Sequence, residues 1–312
     1  MFYVSRFVDS ASPPVVHIAF FLRLCVKGME YENQGLMAAK YDCLLFDLDD
    51  TLYPYSSGLS VHITKNIQEY MIQKLGIDES IVADMCFVLY KHYGTTLAGL
   101  RAIGYNFDYD DFHGFVHGRL PYELLKPDSV LRNLLHNLPM HKVVFTNGDE
   151  AHLSRALERL GLVDCFDKII CFETLNPTKG NNASHDSHEN ASEIFDIMKY
   201  CADPDGSGLT LPKTPVVCKP FEDAYEEAFK LAEIDPKRTL FFDDSVRNVV
   251  VASSLGLHCV LVGKSERPEG IEYALESIHN MKEAIPELRE GDEKSESIIH
   301  PQEIAIETSV VA

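Results

Sequence analysis

The stretch YDCLLFDLDDTLYP, Tyr41 to Pro54, decides how this chain is read. Four apolar residues, Cys43 to Phe46, deliver Asp47, Asp49 and Asp50 to one spot. An unbroken apolar run of this length suits a strand covered on both faces, as in a parallel sheet. The pattern recurs in KVVFT (142–146), KIICFE (168–173), PVVC (215–218), TLFFD (239–243) and HCVLVG (258–263). Helical spacing fills most of the gaps, over 149–162, 221–234 and 245–257, the first and last closed by Gly161 and Gly256. Strands alternating with helices predict an α/β core, a Rossmann-like doubly wound parallel sheet.

The spacing between the first two strands is too long for an ordinary crossover. Its four helical patterns predict a helical cap inserted over 56–137, between core segments 40–55 and 138–282. A second interruption, 176–215, is rich in Asn, Ser, Asp and Gly at both ends. We read it as a surface insertion with one short helix at 191–201. Residues 1–39 and the acidic stretch 283–312 are expected to be disordered extensions.

The formal charge of −20 repels nucleic acid and anionic membranes, which excludes both as partners. It also means that a phosphate site needs its own local positive charge. Eight scattered cysteines without a C-x-x-C pair indicate a reducing compartment, and the expected location is the cytoplasm. Val15 to Val26 is apolar but too short to span a bilayer. Residues 1–28 carry one acid, Asp9, against Arg6, Arg23 and Lys27, leaving organelle targeting or a start at Met29 as alternatives.

In open α/β sheets, ligands bind beyond the carboxyl ends of the strands. There the sequence places Asp47, Asp49, Thr146, Asn147, Lys219, Asp243 and Asp244. Carboxylates converging on one point are unstable without a cation between them, and oxygen ligands of this kind suit Mg²⁺. Thr146-Asn147-Gly148 closes a strand and opens a helix, an anion seat. Lys219 precedes Pro220, a residue suited to the first helical position. A cation there opposes the helix dipole, a local conflict of the kind found at functional sites.

In order, DLDDT (47–51), VVFTN (143–147), Lys219 and FFDDSVRN (241–248) resemble the four motifs of the haloacid dehalogenase superfamily, over about residues 40 to 265. The resemblance implies an aspartyl-phosphate mechanism. Asp47 is then the nucleophile and Asp49 the general acid and base. Mg²⁺ is held by Asp47, by the Asp49 backbone carbonyl and by Asp244. Asp243 and Asn248 lie behind the metal, and Thr146, Asn147 and Lys219 hold phosphate. The third acid of the first motif, Asp50, has no assigned step. Members of the superfamily that displace halide from carbon lack the second aspartate and the acidic metal site. Their presence here favours phosphoryl transfer.

Further segments, DLDDTLYPYSSGL, the stretch from Tyr93 to Asp128, and VCKPFEDAYEEA, are similar to yeast-type pyrimidine 5′-nucleotidases and their plant relatives. The implied substrate is a small phosphomonoester, UMP or CMP. Arg101, Tyr105, Asn106 and His113 are the cap residues expected to set specificity, and Tyr53 and Tyr55 either line the entry or pack the hinge. Alternatives are another small phosphomonoester, a sugar phosphomutase, or a non-catalytic binding protein on the same scaffold. His185 and His188 are read as surface residues.

Overall fold

Leu44, Leu45 and Phe46 have no exposed surface, which suits them to the middle of a sheet. The computed structural model describes residues 40–177, 194–203 and 208–289. The extension 1–39, the chain beyond 289, and His185 and His188 lie outside them. Strands β1 (Cys43–Phe46), β2 (His141–Phe145), β3 (Lys168–Ile170), β4 (Thr239–Asp243), β5 (His258–Val262) and β6 (Tyr273–Leu275) form one parallel sheet in the order β3-β2-β1-β4-β5-β6. The register pairs Phe46 with Val144 on one side and with Phe242 on the other. The carboxyl ends of β1, β2 and β4 therefore meet.

Alternation along the strands divides the core into two layers. Leu44, Phe46, Val144 and Phe242 face one apolar cluster; Cys43, Leu45, Phe145 and Phe241 face the other. Helices α6 (Glu150–Leu160), α9 (Glu222–Ala232) and α10 (Val246–Ser254) cover the two faces.

Helices α1 (Leu59–Gln73), α2 (Glu79–Tyr93), α3 (Thr96–Ala102) and α4 (Tyr109–Val116) follow β1. Their buried side chains, among them Tyr70, Leu89, Leu97 and Phe112, form a third cluster. Side-chain oxygens of Asp78, Thr95 and Asp108 accept backbone N–H bonds at the starts of α2, α3 and α4. Helix α5 (Ser129–His136) departs from the expected layout. Its Leu131 and Leu135, with Leu120 and Leu125 before it, pack into the sheet's own cluster, so the separate helical layer ends near Val116 rather than at 137.

Three other readings change. Residues 215–218 are not a strand: the Asn176 side chain accepts from the Val217 N–H at 2.9 Å and donates to its carbonyl at 3.0 Å, replacing a ladder. The described part of 176–215 is exposed or half-exposed at nearly every position, as a surface insertion should be, but it docks on the helical layer and its helix begins at Ile197 rather than at 191. After the short helix α7 (Phe172–Leu175), its helix α8 (Ile197–Ala202) buries Ile197 in the helical layer, and Tyr93 donates to the Pro212 carbonyl at 3.0 Å. Residues 283–289 belong to the core: helix α11 (Met281–Ala284) and the turn after it bury Met281, Ile285 and Leu288. Among the described residues, no helix is long and apolar enough to cross a membrane.

Candidate active site

Asp47 leaves β1 with its N–H bonded to the Phe242 carbonyl at 2.9 Å, which carries it to the mouth of the sheet. Its Oδ1 accepts from Lys219 Nζ at 2.7 Å, and its Oδ2 accepts only a long 3.3 Å bond from Thr51. Lys219 is almost fully buried and also donates to the Phe145 carbonyl and to Asp243 Oδ2, each at 2.8 Å. Burial alone would lower the pKa of this ammonium group; Asp243 and Asp47 more than offset that and raise it. The lysine therefore stays charged.

Pro220 is not the first helical residue. Helix α9 starts at Glu222 after Phe221, so Lys219 sits in the approaching turn. Side chains rather than a helix end fix it. The Asn147 side chain bonds its backbone at two points, and Gly94 at the end of α2 lies against its carbonyl.

Asp47, Asp243 and Asp244 each bring a carboxylate oxygen within 4.8 Å of the others. Asp243 is already committed: Oδ1 accepts from the Ser245 N–H and Asn248 Nδ2, both at 2.9 Å, and Oδ2 accepts from Lys219 and Asn248. That leaves Asp47 Oδ2, with its one long bond, and Asp244 as the less committed carboxylate groups, both on residues that line a cavity. Burial pushes Asp47 well above the usual carboxylate range, Lys219 opposes this, and Asp243, Asp244 and Asp49 add to it. Burial and Asp243 push Asp244 up to about 7. An all-oxygen donor set with excess negative charge fits a hard divalent cation such as Mg²⁺.

Asp49 is anchored on one oxygen. Its Oδ1 accepts from the Tyr53 hydroxyl and from His152 Nε2, the latter at 2.7 Å. Burial pushes this carboxyl up, but the His152 charge and these bonds win and hold it at about 2. Burial lowers the pKa of His152, yet Asp49 raises it overall. The Tyr122 hydroxyl lies 2.8 Å from His152 Nδ1 and donates to the His117 carbonyl at 3.2 Å. His117 stacks on His152 at 4.5 Å between centroids and bonds Asp149 through Nδ1. His113 Nδ1 is 3.6 Å from the same Asp149 oxygen, and burial lowers its pKa to about 4.

A cavity of about 470 Å³ opens above these groups. Asp47, Asp49, Thr146, Asn147, Lys219 and Asp244 line it. So do the aromatic side chains of Phe87, Tyr90, Phe112 and Phe172. The Thr146 hydroxyl accepts from the Gly148 N–H at 3.0 Å, leaving its own O–H to donate. His113 also lines the cavity, and neither of its ring nitrogens makes a hydrogen bond among the described residues. Arg101, Tyr105 and Asn106 are not among the lining residues. Arg101 turns back to donate to the Tyr105 carbonyl at 3.1 Å and to Asn106 Oδ1 at 2.6 Å, so these three hold a loop together. Tyr53 is buried against Asp49, whereas Tyr55 is exposed and lines the cavity.

His117, Asp149, His152 and Tyr122 escape a reading of the sequence. A faint signal exists: His113 and His117 are four apart at the end of α4, and Asp149 and His152 span the first turn of α6.

The family model of haloacid dehalogenase-like hydrolases matches residues 41–256. The chain belongs to this family. Phosphate metabolism protein 8 of Saccharomyces cerevisiae is 31% identical over 132 residues, 40% of this chain and 41% of the yeast protein. The match thus spans less than half of that relative. Among solved structures, CbbY from Rhodobacter sphaeroides in complex with phosphate is 15% identical, covering 80% of this chain and 99% of that one, with a TM-score of 0.47. A haloacid dehalogenase-like phosphatase from Thermococcus onnurineus is 17% identical, covering 78% and 96%, with a TM-score of 0.43. This haloacid dehalogenase-like hydrolase therefore carries its acidic cluster and buried lysine at the strand ends of the family's α/β core.

Proposed function

We propose that this hydrolase is a Mg²⁺-dependent phosphomonoesterase acting on pyrimidine nucleoside monophosphates. One observation carries the reading: a buried lysine neutralises Asp47 Oδ1 and leaves Oδ2 with one long bond, on a residue that lines a cavity together with Asp49. This supports Asp47 as a nucleophile beside an acid, with a fixed positive charge for the phosphoryl group.

Asp47 attacks phosphorus; the Asp47 oxygen–phosphorus bond forms as the bond to the ester oxygen breaks. Asp49 gives its proton to that leaving oxygen. Asp49 is ionised in the resting site, and the arriving phosphate charge beside it favours its protonation. Water then attacks phosphorus and yields its proton to Asp49, and the Asp47–phosphorus bond breaks to release phosphate. Lys219 and the Thr146 hydroxyl stabilise the oxygens that gain charge. The Asp47 carboxylate, the Asp49 carbonyl and Asp244 would hold Mg²⁺, with Asp243 and Asn248 supporting them. When bound, Mg²⁺ neutralises charge on the phosphoryl oxygens.

Aromatic side chains along the cavity support a planar base as the leaving side of the ester, and His113 lines the same cavity with both ring nitrogens buried. Purified protein is expected to release phosphate from UMP and CMP with Mg²⁺ and to stop with EDTA or in Asp47→Asn. Full turnover by Asp47→Asn would overturn the mechanism. Failure on pyrimidine nucleotides with turnover of other esters would overturn the substrate.

A further inference from the structure

We propose that His152, held by Tyr122, is a positioning residue that fixes which oxygen of Asp49 carries the proton. The proposal rests on the phosphomonoesterase reading and adds to it a residue outside the four motifs. The His152 side chain has no exposed surface and is not among those lining the cavity, so it reaches a substrate only through Asp49. It lies in the first turn of α6, where Asp149 Oδ2 accepts its backbone N–H at 3.3 Å. Stacking on His117 and the contact to Tyr122 then fix the ring in its plane.

The consequence falls on Asp49. Two donors, Tyr53 and His152, occupy Oδ1. A carboxyl group whose one oxygen accepts two bonds carries its proton on the other. Oδ2 lies near Gly148, where an added Cβ would stand 3.7 Å from it and 3.0 Å from His152 Cδ2. A side chain at 148 would thus press both on the ring that positions Asp49 and on the Thr146 hydroxyl, 3.3 Å away. His152 therefore selects Oδ2 as the oxygen that protonates the leaving group.

The test compares two esters in the full-length protein. A nucleotide expels its nucleoside as an alkoxide that needs a proton, whereas p-nitrophenyl phosphate expels a stable phenolate. His152→Ala should lower kcat/KM roughly 100-fold on UMP and less than about 5-fold on p-nitrophenyl phosphate. His152→Gln, which keeps an N–H at a similar reach, should recover most of the loss. Equal losses on both esters, or an unimpaired His152→Ala on UMP, would overturn the proposal. A readout without turnover separates it from the functional reading. The His152 Nε2 proton should appear as a slowly exchanging downfield NMR signal that vanishes in Asp49→Ala; absence from the wild type overturns the positioning. Wild-type protein inert on both esters but showing that signal would count against the phosphomonoesterase reading alone.

Discussion

Asn147 holds the Lys219 backbone at two points: Oδ1 accepts the Lys219 N–H at 2.9 Å and Nδ2 donates to the Lys219 carbonyl at 3.0 Å. The side chain acts as a short strand partner, tying the end of β2 to a segment that has no strand of its own. It sets where the backbone of the lysine lies, and Asp47, Asp243 and the Phe145 carbonyl then set where its charge lies.

Asn147→Ala removes both bonds and leaves a partly buried N–H and carbonyl unpaired. The expected cost is about 1–3 kcal/mol in urea unfolding. Turnover should fall further than Mg²⁺ affinity, because Lys219 shifts while Asp244 does not. Unchanged kcat in a folded Asn147→Ala protein would show that the clamp is dispensable.

Gly94 presses on the same loop from the helical side. A Cβ on it would stand 2.2 Å from the Lys219 carbonyl oxygen and 2.6 Å from Pro220 Cδ, and its φ of +81° already disfavours a side chain. Backbone cannot yield as a flexible side chain does. Gly94→Ala should cost roughly 1–3 kcal/mol and also depress turnover. Gly76→Ala is the control: φ is +68°, but nothing lies within 4 Å, so stability drops modestly and activity holds. Equal behaviour of the two variants in thermal melts and assays would reject the contact.

Ile285 tests the placement of the chain after α11. It has no exposed surface and sits in the cluster that also holds Phe46. Ile285→Ala should destabilise by roughly 2–5 kcal/mol, measured by chemical denaturation. A change under about 0.5 kcal/mol is what a loose surface segment would give.

The contrast between Ile285 and Asp47 shows what the sequence conveys. Strands β1, β2, β4 and β5 are legible because residues buried on both faces leave an unbroken apolar run. β6 is missed because Tyr273–Leu275 is three residues long and half-exposed at the sheet edge. PVVC reads as a strand because burial, not pairing, sets its composition; Asn176 does the pairing. AIPEL reads as a tail because charged residues around it mask Ile285 and Leu288. In the site, residues that end apolar runs announce themselves. His152 does not: its partner Asp49 lies 103 positions away, and its own neighbours fit an ordinary helix. Arg101 looks like a ligand-binding arginine until its local carbonyl partner is seen.

Under the proposed function, magnesium and protons compete for the acidic cluster. Asp244 has an ordinary value of 3.8 and is raised to about 7 in the folded, metal-free protein by burial and by Asp243. A raised carboxyl binds its proton more tightly folded than unfolded, so between about pH 4 and 7 this group stabilises the metal-free fold as the pH falls. Mg²⁺ needs the ionised form and must displace that proton. The apparent affinity should thus weaken up to about tenfold per unit as the pH drops below about 7, and level off above it. The rise in Tm produced by millimolar Mg²⁺ should shrink in step from pH 8 to pH 6. Asp244→Asn removes one of the two raised carboxyls, so what affinity it retains should depend less steeply on pH, the part due to Asp47 remaining. Calorimetric titration in two buffers of different ionisation heat reads the proton release directly. A Mg²⁺ affinity that is flat from pH 8 to pH 6 in the wild type would mean that Asp244 is already ionised before the metal arrives.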